Sequence, residues 1–397
     1  MARTPRFIMT AGPVEASDRV RAALGSQVMF DYSEPFFELF RETQRKFQDF
    51  FQTSNDIVMM QGEALLALEA ISFCSLNEGD VVVNVESGHY GVGNRYFLEK
   101  YGAKPVPVET PWNTVVEPEQ LEDVLKSNPD TRILWIVHCE TPCGTISNLE
   151  ALARVGKERG CLVFVDAVSS LGSRDVRTDE WDIDVMVVGS QKVLGAPPGL
   201  SAMSVSEEAW EAFRSRKDPV RHSYFSILDW KEKWLEGGYW PYTPSTTDVH
   251  GLNAAVTEYL ELGRAENFRR YREVAEMTRA GVRAMGLELW PDSDEHACEV
   301  VTAVAVPEGI DDAELRQTIL DRFGILISGS LYNTPIYGKL IRIGHMGVCA
   351  DPTYSVAALG ALEYALGRQG YDVPPGSGVG TALDVLARFE SEEISTV

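Results

Sequence analysis

Cysteine is scarce and scattered in this chain: six residues (74, 139, 143, 161, 298 and 349) in 397. Cys139 and Cys143 sit four apart, but no second pair completes a zinc set, and no HEXXH-type histidine cluster appears, so a structural or catalytic metal is not expected. Dispersed thiols of this kind suit a reducing compartment, and a cytoplasmic protein is expected. Long apolar runs are also missing. None reaches about 18 residues, the length a membrane-spanning helix needs. The opening MARTPRFIMTAGPV holds no apolar stretch of signal-peptide length. Basic residues are outnumbered, 36 Lys plus Arg against 59 Asp plus Glu, for a net charge of −23. That surface repels polyanions and argues against nucleic acid or anionic membrane as the main partner, while leaving room for a local basic pocket. No fixed-period repeat and no low-complexity tract is present. What remains is a chain 44% hydrophobic and 10% aromatic, which excludes a mainly disordered protein. Its length fits two or three domains.

Residues 17–27 and 34–52 have helical spacing, and 65–76 forms an Ala/Leu-rich helix just after Gly62. The pattern then changes. Short β-branched or apolar runs at 80–85, 104–108, 131–137 (TRILWIV), 161–165 (CLVFV) and 185–188 (VMVV) alternate with helical stretches at 118–127 and 149–158. Continuous apolar strands between helices predict a mostly parallel α/β sheet covered on both faces. Residues 250–285 read as a long helix broken near Gly263. A smaller α+β region follows, with strands at 298–306, 325–328 and 340–344 and helices at 311–323 and 354–368. The Gly/Pro-rich stretch 370–380 reads as a loop before a last polar helix. The expected organisation is an N-terminal segment (1–20) contributing to the active site, a large domain (21–255) and a small C-terminal domain (256–397).

Ligands of such sheets sit beyond the carboxyl ends of the strands. TRILWIV is followed by His138-Cys139-Glu140-Thr141-Pro142-Cys143-Gly144-Thr145, CLVFV by Asp166-Ala167-Val168-Ser169-Ser170, and VMVV by Gly189-Ser190-Gln191-Lys192. Three polar turns bring a hydroxyl, a carboxylate and an amine to one crevice. An amine there can form an imine with a carbonyl compound. A buried carboxylate can keep a ring nitrogen protonated and so make the ring an electron sink. The set fits a pyridoxal-type cofactor or substrate.

The text VDAVSSLG (165–172) followed by GSQKVLGAPPGL (189–200) resembles the class V aminotransferases of pyridoxal-phosphate fold type I. TAGPV (10–14), QGEALLALEA (61–70), ETPCGT (140–145) and RIGHMG (342–347) add to the likeness, which covers nearly the whole chain. Within the class the text is similar to the pyridoxamine–pyruvate transaminase branch. That likeness rests on LGAPPGL, SILDW (226–230), TPS (243–245) and GKLIRIGHMG (338–347). The alanine– and serine–glyoxylate enzymes share the frame more distantly. The resemblance implies that Lys192 carries the imine and shuttles the proton, that Asp166 pairs with the pyridine nitrogen, that Val168 and Tyr90 cover the two ring faces, and that Thr141 bonds the phenolic oxygen. It further implies that Arg342 takes the substrate carboxylate as a planar fork, that Gly12 shapes substrate access, that Gln191 lies beside the cofactor, and that Thr243 reaches a neighbour's site in a homodimer or homotetramer.

One position bears on the form of the vitamin. Where phosphate-using relatives place small residues and a hydroxyl at a helix N-terminus, this chain has Gln61-Gly62-Glu63-Ala64. Two like charges about 4 Å apart repel by roughly 4 kcal/mol at intermediate dielectric. A carboxylate at position 63 therefore disfavours a phosphate and accepts a hydrogen bond from a 5′-hydroxymethyl group. The expected substrates are pyridoxamine and a 2-oxo acid resembling pyruvate, giving pyridoxal and an amino acid resembling L-alanine. The alternative is a pyridoxal 5′-phosphate enzyme of the alanine/serine–glyoxylate kind. The resemblance also implies a second arginine after Ser328-Gly329. Here Ser330–Tyr337 contains none, so one carboxylate contact is missing.

Overall fold

The protein is described by a computed structural model covering residues 4–396. In chain order its strands are β1 (Phe7–Met9), β2 (Asp56–Gln61), β3 (Val81–Glu86), β4 (Lys104–Glu109), β5 (Thr131–Val137), β6 (Cys139–Glu140), β7 (Thr145–Ile146), β8 (Leu162–Asp166), β9 (Val185–Gly189), β10 (Leu200–Val205), β11 (Val301–Ala305), β12 (Ile325–Gly329) and β13 (Leu340–Gly344). The helices that matter below are α1 (Asp18–Leu24), α2 (Glu34–Phe51), α3 (Ala64–Ser75), α4 (His89–Lys100), α5 (Pro118–Ser127), α6 (Leu149–Glu158), α7 (Glu207–Arg214), α8 (Ile227–Asp229), α9 (Thr246–Leu262), α10 (Arg264–Ala284), α11 (Asp312–Phe323), α12 (Pro352–Arg368) and α13 (Ser377–Thr396).

Seven strands form the main sheet in the order β2-β10-β9-β8-β5-β3-β4. Only β10 runs against its neighbours. The rest pair in parallel, as runs such as TRILWIV require when both faces are covered. Helix α2 shows how cover is achieved. Phe36, Phe40, Phe47, Phe50 and Phe51 recur at helical spacing and are all buried. Phe40 stacks on Trp230 at 5.8 Å between centroids and meets Trp240 edge-on at 4.8 Å. Truncating one such ring to alanine costs about 3–5 kcal/mol.

A second sheet, β1-β12-β13-β11, has its own core, in which Ile325, Ile327, Ile341 and Ile343 pack with Leu315 and Ile319 of α11 and Leu359 and Leu362 of α12. Its first strand comes from the opposite end of the chain: Phe7, Ile8 and Met9 pair in parallel with Ile325, Leu326 and Ile327.

The elements expected from periodicity form, including the α9–α10 pair broken at Gly263, whose φ is +87°. Several others carry weak signals. β10 (LSAMSV), which is not among the expected strands, buries two serines, Ser201 and Ser204. β1 has only three residues, and α4 opens with Gly91 and Gly93 among polar residues. The expected 370–380 loop is a correction. Helix α13 begins at Ser377, because Gly378 is a close-packing residue here: a Cβ on it would lie 2.1 Å from Met285 Cε. Among the described residues no helix is long and apolar enough to cross a membrane.

Candidate active site

The carboxyl ends of β5, β8 and β9 set the floor. Asp166 closes β8 opposite Val137, and His138 N donates to Asp166 O at 2.9 Å. The turn after β9 carries Gln191 and Lys192 inward, 5% and 7% exposed. A cavity of about 330 Å³ opens above them. Gly12, Glu63, Tyr90, Asp166, Val168, Gln191 and Lys192 all line it, so seven of the ten side chains or backbone sites expected from sequence share one wall set.

Lys192 Nζ donates to Ala11 O at 2.7 Å. Burial first and the charge of Arg342 second lower its pKa to about 8, with the Asp166 charge opposing them. The N-terminal segment can approach this closely only because residue 12 is glycine. Its φ is +101°, and a Cβ there would lie 2.6 Å from Lys192 Nζ. Asp166 Oδ1 accepts the Val168 N–H at 2.9 Å. Burial raises its carboxyl to about 6, with the Val168 N–H and Lys192 pulling the other way. Burial likewise pushes the Tyr90 phenol up to about 12.

Glu63 is the N-cap position of α3 but makes no side-chain cap bond. Its Oε2 instead accepts from Gln191 Nε2 at 3.1 Å. Gln191 Oε1 and Thr141 Oγ1 are buried without a partner, two polar atoms in want of a ligand.

Arg342 lies on β13, 6% exposed. Its Nε and Nη2 donate to Gly329 O at 2.9 and 2.7 Å, and Nη1 to Thr141 O at 3.4 Å. Those carbonyls aim the guanidinium from the small sheet toward the large one. Burial lowers its pKa. Thr141 and Arg342 thus flank the cavity without lining it, and Thr243 is exposed on its own chain, away from the cavity. Arg95 and Arg221 are engaged elsewhere, with Glu86 and Glu109 and with Glu232. His345 is buried against Thr302 Oγ1 at 2.8 Å.

Three groups at the site had no assignment from sequence. The Ala11 carbonyl is backbone and leaves no side-chain signal. Leu65 and Leu68 line the cavity from α3 and read there simply as helix text. Glu140 is 1% exposed and accepts the N–H groups of Tyr90 at 3.0 Å and Gly91 at 2.7 Å, fifty and forty-nine residues away. Its motif was visible, but nothing local says what its carboxylate faces.

With a buried lysine, an aspartate one strand over and an arginine from a second sheet in place, the sequence profile of the family described as aminotransferase class V matches residues 14–340. The chain belongs to the class V aminotransferases. It is 38% identical to a pyridoxamine–pyruvate transaminase of Mesorhizobium japonicum, over 96% of this chain and 97% of the relative. It is 31% identical to a serine–glyoxylate aminotransferase of Methylorubrum extorquens, over 97% and 98%. The crystal structure of pyridoxamine–pyruvate aminotransferase from Mesorhizobium loti superposes with a TM-score of 0.93 at 37% identity, covering 97% of this chain and 98% of that one. Ureidoglycine–glyoxylate aminotransferase from Bacillus subtilis gives the same TM-score at 32% identity, covering 98% and 99%. This aminotransferase therefore has the α/β fold-type-I architecture of a pyridoxal-dependent family. Its cavity fits that group: the Lys192 amine, the Asp166 carboxylate and the unpartnered amide oxygen of Gln191 line a space of suitable size.

Proposed function

We propose that this aminotransferase moves an amino group between free pyridoxamine and a 2-oxo acid such as pyruvate, giving pyridoxal and an amino acid such as L-alanine. The observation that carries the reading is Glu63, a carboxylate on the cavity wall tied to Gln191 at 3.1 Å. An anion already there disfavours a phosphate ester and offers an acceptor to a neutral hydroxymethyl group.

A bound pyridoxyl ring supplies an electron sink that makes an adjacent C–H acidic. The chain's residues do the rest. Asp166 holds the proton on the ring nitrogen with its carboxylate. Val168 and Tyr90 fix the ring plane from its two faces. The Thr141 hydroxyl bonds the phenolic oxygen. Lys192 Nζ, free of its proton above a pH of about 8, accepts a proton from one carbon and returns it to another. Arg342 clamps the oxo-acid carboxylate, and the Thr10–Val14 segment, admitted by Gly12, excludes water. Thr243 completes the cavity of a second copy in a homodimer or homotetramer.

A second reading has one observation in its favour. The first turn of α3 has no side-chain cap, so its free amides could hold a phosphate. That would make the protein an alanine/serine–glyoxylate-type enzyme with a resident pyridoxal 5′-phosphate.

The deciding assay incubates purified protein with pyridoxamine and a panel of 2-oxo acids, without added phosphate cofactor. Stoichiometric pyridoxal and amino acid support the proposal. No pyridoxal with any oxo acid refutes it.

A further inference from the structure

Glu140 is a fully enclosed carboxylate that none of the roles above employs. It sits on β6, at the turn beyond β5, and reaches across to the start of α4. The first N–H groups of a helix have no partner inside it. Here Oε2 takes Tyr90 N–H at 3.0 Å and Oε1 takes Gly91 N–H at 2.7 Å. The fit is tight: a Cβ on Gly88 would lie 2.6 Å from Glu140 Cδ. The N-cap residue of α4, Gly88, offers no side chain of its own to those amides. A carboxylate from a distant strand does the capping.

The residue whose backbone it holds is Tyr90, which lines the cavity. The groups facing this carboxylate are His89 and Tyr90 from α4, Asp166 from β8, and Cys139 and Cys143 of its own turn, with Arg342 of β13 acting on Tyr90 and Cys143. Asp166 is the nearby fixed anion among them, and Arg342 the nearby cation.

We propose that Glu140 is a positioning residue: its two carboxylate oxygens fix the α4 N-terminus and thereby set the Tyr90 ring at the distance from Val168 that a pyridoxyl ring requires. The inference rests on the reading of Tyr90 as a ring-covering residue. It assigns Glu140 a role carried by charge and two acceptors, not by volume.

Burial raises the Glu140 carboxyl to about 7, the Tyr90 and Gly91 amides oppose that rise, and the Asp166 charge adds to it. A bound pyridinium at Asp166 would offset that repulsion and favour the ionised, capping form.

Two substitutions separate charge from volume. Glu140→Gln keeps the volume but turns an NH₂ group toward one of two N–H donors. Glu140→Asp shortens the reach and keeps both acceptors. The readouts are amide hydrogen exchange at Tyr90 and Gly91 in the unliganded protein, and pyridoxal affinity from its absorbance change. We expect E140Q to speed exchange at both amides and weaken pyridoxal binding at least tenfold, about 1.4 kcal/mol, and E140D, which keeps both acceptors but draws them back by one methylene, to be impaired less than E140Q in both readouts. Wild-type behaviour of E140Q together with impairment of E140D would show a packing role and overturn the proposal. Should E140Q not fold, the wild-type exchange decides: Tyr90 and Gly91 amides exchanging as fast as the uncapped first-turn amides of Ala64 and Leu65 contradict it, and slower exchange supports it. If wild type fails to bind pyridoxal at all, the ligand reading fails, while the exchange comparison still judges Glu140.

Discussion

Lys192 Nζ donates to the backbone carbonyl of Ala11 at 2.7 Å, so a lysine from the large sheet is held by a segment whose preceding strand belongs to the small one. That segment is anchored by β1 pairing with β12 and by Ala11 N donating to Ser328 Oγ at 3.1 Å. The amine is thus buried, oriented and drained of part of its basicity in one arrangement.

Replacing Lys192 with alanine removes the one side-chain amine on the cavity wall among the described residues. Amino transfer between pyridoxamine and pyruvate should fall by about 10²–10⁴-fold, the range general acid–base catalysis supplies. Pyridoxal should still bind, without a covalent link that borohydride can trap. Turnover near the wild-type rate would remove Lys192 from its role.

Asp166→Asn retains shape and loses charge. A charge-assisted hydrogen bond is worth about 1.5–3 kcal/mol, so kcat should drop roughly tenfold to a hundredfold or more, with the circular dichroism spectrum unchanged. An unaltered kcat would mean that the ring nitrogen does not meet this carboxylate.

The free-enzyme pH profile follows from two opposed shifts. Asp166, raised to about 6 by burial, is protonated below that pH and ionised above it. Lys192, lowered to about 8, is an ammonium below that pH and a free amine above it. Both changes favour the competent form as pH rises, so kcat/KM should climb in two limbs, near pH 6 and near pH 8. Because the Arg342 charge contributes to the lowering of Lys192, Arg342→Gln should move the upper limb to higher pH. It should also raise KM for the oxo acid tenfold or more while leaving pyridoxal affinity within a few-fold. An upper limb that stays in place in that variant argues against the coupling.

Glu63→Ala tests the phosphate argument. Repulsion of roughly 4 kcal/mol at 4 Å is weakened by partial exposure and salt, so pyridoxal 5′-phosphate should bind ten- to a hundredfold more tightly in the variant. Pyridoxal should bind somewhat more weakly. Equal or poorer phosphate-ester binding, measured by titration, would count against it.

Much of this was legible because parallel sheets write themselves as apolar runs and put chemistry at the following turns. Asp166 and Lys192 could be found from CLVFV and VMVV alone. Arg342 and Tyr90 needed the family likeness, since neither an arginine on a late strand nor a tyrosine after Ser87-Gly88-His89 has a local signal. What escaped was long-range. The pairing of Phe7–Met9 with β12 spans more than three hundred residues, and the Glu140 contact with Tyr90 joins two turns fifty residues apart. The loop expected over 370–380 runs too far because Gly378, a small residue, looks like punctuation until its contact with Met285 is known.

The vitamin is proposed to be a reactant here and not a resident tool. Protein purified from cells replete in vitamin B6 should carry no stoichiometric phosphate ester, by absorbance and by phosphorus analysis, and should still turn over pyridoxamine with a 2-oxo acid. One tightly held pyridoxal 5′-phosphate per chain, retained through dialysis and required for amino transfer, would contradict the account.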